Sequence, residues 1–120
     1  MSQETLTVRL KKIHCYQNDE HRYDDVFILH NKKQIWPVDK RHEDVGIGTY
    51  DMMVDIKGLI PMEPVVLEIW DHDTFSPNDL YGKVTFVPGF PAGVPYSVDM
   101  VPNSEKEIAR YMIDWEVVAE

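Results

Sequence analysis

The sequence predicts an all-β domain, an antiparallel two-sheet β-sandwich of about eight strands, with residues 1–120 forming one unit. Three observations predict it. Apolar residues recur at every second position through most of the chain, as half-buried strands require. Eight prolines and six glycines punctuate the chain, concentrated in turn-rich stretches such as QNDEHRYD, DKRHEDVGIG, DHDTFSPND and PGFPAGVP. Hydrophobic residues make up 43% of the chain, enough for a core without staples and too much for a disordered acidic tail.

Taken in order, Leu6, Val8 and Leu10 alternate with Thr5, Thr7, Arg9 and Lys11, which predicts a half-buried strand over 5–14. Residues 25–30, DVFILH, give a second strand, and Asn31-Lys32 a tight turn into KQIWP. Tyr50, Met52, Val54 and Ile56 alternate with Asp51, Met53, Asp55 and Lys57. VVLEIW at 65–70 is denser and suits a central strand, and KVTFV at 83–87 follows it. In RYMIDWEVV, 110–118, Tyr111, Ile113, Trp115 and Val117 share one face. Residues 103–109 can carry a short helical turn, with Asn103 or Ser104 as N-cap.

Twelve basic residues against 21 acidic ones give a net charge of −9. A nucleic-acid partner is therefore not expected, and neither is unaided adsorption to anionic lipid. The single cysteine, Cys15, has no internal disulfide partner, and no Cys/His finger spacing exists. No signal peptide and no membrane-spanning run is read, so the expectation is a cytoplasmic protein. Catalysis is not expected either. His14 and Cys15 are strand neighbours that point to opposite faces, and no metalloprotease-type histidine spacing occurs.

The most informative segment is EIWDHDTFSPNDLYG, residues 68–82. Asp71 and Asp73 lie two apart on an extended segment and point the same way. The turn at Phe75-Ser76-Pro77-Asn78 can bring Asp79 to face them. Three carboxylates together repel one another, and a hard cation with six to eight oxygen ligands relieves the conflict, calcium better than magnesium. An EF-hand is excluded. Counting from Asp71, the sixth position is Ser76 instead of glycine, and the twelfth is Gly82 instead of glutamate.

WDHDTFSPNDLYG resembles the third loop of C2 domains, β-sandwiches that bind calcium and phospholipid, in the pattern W-D-x-D-x-F-S-x-x-D-x-x-G. The family also draws two aspartates six residues apart from an earlier loop entering a D-P-Y-V-like strand; here these are Asp19 and Asp25. Val26 stands where the family has proline, Glu20 where it has an apolar residue, and Asp24 competes for the Asp25 role. One strand before the first loop resembles the permuted, phospholipase-like strand order.

The resemblance implies a calcium cup of Asp19, Asp25, Asp71, Asp73 and Asp79, with Ca2+ as cofactor. Two ions would move the formal charge from −9 to −5 and make the tip attractive to an anionic phospholipid membrane surface or a protein partner. It also implies that Phe75 contacts the membrane, the alternative being an aromatic folded back on its own sandwich. Glu20, His21 and Arg22 offer no second wedge. As a stand-alone domain, the chain also fits a calcium-independent interaction subunit of a larger assembly.

Overall fold

A computed structural model describes residues 4–19 and 23–119. Among these, the strands are β1 (Leu6–Gln17), β2 (Asp24–His30), β3 (Lys33–Trp36), β4 (Glu43–Val45) and β5 (Gly48–Leu59), then β6 (Val65–Asp71), β7 (Asp79–Phe86), β8 (Tyr96–Asp99), β9 (Val101–Pro102) and β10 (Arg110–Val118). All pairs are antiparallel. One sheet runs β5-β1-β10-β8 and the other β3-β2-β6-β7-β9. On β2, Ile28–His30 pair with β3 while Asp24–Val26 pair with β4, so two short strands share one edge end to end.

The two sheets bury one core between them. Leu10, Ile13 and Ile113 come from the first sheet, and Val26, Ile28, Leu67, Ile69 and Val84 from the second. On β10, Tyr111, Ile113, Trp115 and Val117 are all buried, as the alternation requires. On β1 the register shifts between Leu10 and Lys12 against both neighbours, a bulge that moves the inward phase from Leu6-Val8-Leu10 to Ile13-Cys15. β6 lies between β2 and β7, which accounts for its dense apolar run.

Several boundaries differ from the sequence reading. β7 begins at Asp79, because the turn 74–78 is short enough for pairing to resume directly opposite Asp71. β4, β8 and β9 span two to four residues, too few to show a period of two. Residues 103–109 form a turn closed by the Glu107 amide on the Ser104 carbonyl at 3.2 Å, and no helix follows before β10. None of the described residues lies in a helix able to cross a membrane.

Strand direction brings the β1–β2, β4–β5, β6–β7 and β9–β10 connections to one end of the sandwich. Cys15 pairs with Gly48, Asp24 with Val45, and Asp71 with Asp79. Every aspartate singled out from the sequence emerges there.

Candidate metal centre

Alternation along β2 separates the two candidates for the first loop. Val26 and Ile28 face the core, so Asp24 points inward with them and Asp25 points outward. Asp24 is fully buried. Its carboxylate oxygens accept the Asp19 backbone N–H at 3.0 and 3.2 Å, and it also accepts the Tyr111 hydroxyl. This arrangement ties the end of the first loop to its beginning. Burial, with the Asp24 contact second, holds the Tyr111 phenol protonated far above its ordinary range. Cys15 beneath it is buried and its thiol is pushed up by that burial. Glu20, His21 and Arg22 at the loop tip lie outside the described residues.

Asp71 continues the inward phase of β6 after Val65, Leu67 and Ile69, and is only 4% exposed. Its Oδ1 accepts the Asp25 backbone N–H at 2.9 Å, and the His72 N–H donates to the Asp25 carbonyl at 2.7 Å. These bonds zip the start of β2 to the base of the third loop. Within that loop, the Asp73 carboxylate accepts the Phe75 N–H at 3.1 Å, and the Asp73 N–H donates to Asn78 Oδ1 at 2.9 Å. Hydrogen bonding from Ser76 first, then from the Phe75 amide, draws Asp73 below the usual carboxylate range, so it is held as an anion. Trp70, immediately before Asp71, is half-buried, stacks on Phe27 and donates to Glu68 at 3.2 Å.

Three of the five predicted ligands, Asp25, Asp71 and Asp73, line one open cleft of about 290 Å³ with Tyr23, His72, Thr74 and Phe75. Phe75 is 98% exposed, so it stands out from the tip instead of folding back. Tyr23, 55% exposed on the same cleft, is a second aromatic that sequence reasoning missed. Asp19 and Asp79 belong to an adjacent acidic flank with Asp24 and Glu107. Burial, then Asp24 and Asp79, raise Asp19; burial, then Asp19 and Asp79, raise Glu107 against the lowering Ala109 amide bond. Tyr81 lies fully buried among Asp24, Asp71 and Asp19. Burial first, then the charges of Asp24 and Asp71, push its ionisation far up, and its hydroxyl lies near Asp24 outside hydrogen-bond geometry.

A third grouping was not expected. Asp25, His42 and Asp44 place their ligand atoms within 4.8 Å of one another, and no other such trio occurs among the described residues. His42 comes from the β3–β4 connection and Asp44 from β4. Sequence spacing gave no sign of it beyond the two-residue interval in His42-Glu43-Asp44. Beside this trio, Lys40 is paired with Glu43.

Comparison with solved structures bears directly on this arrangement. The chain superposes on a structure described as that of a C2 domain with a TM-score of 0.53 at 14% identity, covering 96% of this chain and 98% of that one. The fold is C2-like. It also matches human GIVD cytosolic phospholipase A2, with a TM-score of 0.50 and 16% identity, over 97% of this chain but only 16% of the phospholipase. No family model and no curated protein matches the sequence. The C2-like fold thus rests on structure, at identities where sequence comparison is silent.

Proposed function

We propose that this C2-like domain is a non-catalytic, calcium-binding module that attaches to an anionic phospholipid surface when calcium is bound. The observation that carries the reading is the Asp25–Asp71–Asp73 cleft opening beside a fully projecting Phe75. Its three carboxylates supply oxygen donors, the chemistry that hard cations prefer, and Asp73 is already held ionised. Asp19 and Asp79 on the neighbouring flank complete the proposed ligand set of Asp19, Asp25, Asp71, Asp73 and Asp79. Cation binding turns a repulsive acidic tip into one able to accept lipid phosphate oxygens, and Phe75 then enters the interface. Burial of one phenylalanine is worth roughly 1.5–3 kcal/mol, enough for reversible attachment only.

The test is sedimentation with phosphatidylserine-containing vesicles in calcium and in EDTA. Asp71→Asn with Asp73→Asn keeps Oδ1 acceptors for the Asp25 and Phe75 amides but removes the charge. The reading expects calcium-dependent pelleting of the wild type and none of the double variant. A second reading, a calcium-independent interaction subunit, draws on one feature: hydrogen bonds to the Asp24, Asp71 and Asp73 carboxylates from backbone amides brace the loops from within the protein. Binding that survives in EDTA and in the double variant supports that second reading.

A further inference from the structure

We infer that Asp25, His42 and Asp44 form a second metal site, selective for a borderline transition-metal cation such as zinc, which adjoins the calcium cleft and shares Asp25 with it. Three elements converge on it: β2, the β3–β4 connection and β4. Asp25 and Asp44 are directly paired across the two antiparallel strands. Like charges in that position repel, so the arrangement costs stability unless something positive lies between them. His42 lies in the β3–β4 connection just before β4, two residues from Asp44. Its Nδ1 lies 3.7 Å from Asp25 Oδ1 and 3.8 Å from Asp44 Oδ1, and is buried without a hydrogen bond.

Those separations exceed hydrogen-bond length and fit a shared ion. Zinc ligands at roughly 2.0–2.2 Å in tetrahedral array stand about 3.3–3.6 Å apart, so the two His42 separations lie within a few tenths of an ångström of closing, while the Asp25 and Asp44 oxygens, within 4.8 Å, would draw together around the ion. An imidazole nitrogen in the set favours zinc, copper or nickel over calcium and magnesium. The His72 ring stacks on His42 with centroids 4.9 Å apart, fixing the ring's plane from the third-loop side. The site shares Asp25 with the calcium cleft, but none of Asp71, Asp73 and Asp79 enters it, so it does not rest on the calcium reading.

The experiment is calorimetric titration of the full chain, stripped with EDTA, with zinc chloride, alongside the visible spectrum of the cobalt(II)-loaded protein. One tight equivalent and a four-coordinate cobalt spectrum are expected. His42→Gln and Asp44→Asn should each weaken zinc by roughly 10- to 100-fold or more and bleach the cobalt bands. His14→Gln controls for the other described histidine–aspartate pair, His14 with Asp114, and should change nothing. The Asp71→Asn, Asp73→Asn protein should still take up zinc while losing any calcium response, so the two readings can fail independently. Zinc uptake that is absent, that survives both His42→Gln and Asp44→Asn, or that is lost with His14→Gln overturns the inference.

Discussion

Two tyrosines stacked on each other beneath the acidic tip give a paired test of how the loops are held. Tyr81 and Tyr111 are both buried, with ring centroids 6.0 Å apart; the Tyr111 hydroxyl donates to the buried carboxylate of Asp24, while the Tyr81 hydroxyl lies near the same carboxylate outside hydrogen-bond geometry. Tyr111→Phe takes a donor from a buried charge that also fixes the Asp19 amide. Hydrogen bonds to charged groups contribute about 1.5–3 kcal/mol. In a domain of this size that lowers the unfolding midpoint by roughly 5–15 °C. Tyr81→Phe removes a hydroxyl that lies near Asp24 outside hydrogen-bond geometry, so it should cost less than Tyr111→Phe and stay within about 1 kcal/mol of wild type. Chemical denaturation followed by circular dichroism measures both. Equal losses in the two variants, or a Tyr111→Phe loss below ~0.5 kcal/mol, would refute the assignment of Asp24 as the anchor of the first loop.

Phe75→Ala should leave the melting temperature unchanged, since the ring is 98% exposed, while weakening calcium-dependent vesicle binding by roughly 10- to 100-fold. Gly82→Ala places a Cβ 2.3 Å from the Val101 carbonyl oxygen and 2.8 Å from Met100 Cγ, and should cost about 1–3 kcal/mol or more by prising β9 from β7. At Asp114, burial pushes the carboxyl up, but hydrogen bonding with His14 and Ser97 outweighs it and leaves the value lowered. Its contribution is therefore present above the unfolded carboxylate value and lost as pH falls through the lower folded one. Asp114→Asn should lose about 0.5–1 kcal/mol at neutral pH, with a gap from wild type that closes in strong acid.

The alternation that placed most strands also fixed which way Asp24 and Asp25 face. With Val26 and Ile28 inward, Asp24 must face inward and Asp25 outward, because successive strand residues alternate faces. The third loop was legible because its aspartates, its turn and its aromatic lie within nine residues of one another. Glu107 and Tyr23 were not, because their place at the tip depends on which strand ends meet there. The Asp25–His42–Asp44 trio was beyond reach for the same reason. It is made by the pairing of β2 with a three-residue strand whose own pattern is too short to read. The bulge at Leu10–Lys12 is likewise a compromise between two neighbouring registers and leaves no local signal.

The calcium account is tested most directly by thermal unfolding of the intact chain in EDTA and then in calcium from micromolar to millimolar, with magnesium as control. A ligand bound only to the folded state stabilises by RT ln(1+[L]/Kd), about 2.7 kcal/mol at a hundredfold excess over Kd. The account predicts a calcium-specific rise of roughly 10 °C at saturation, absent in the Asp71→Asn, Asp73→Asn protein. A midpoint that stays flat up to millimolar calcium, or that magnesium raises equally, would contradict it.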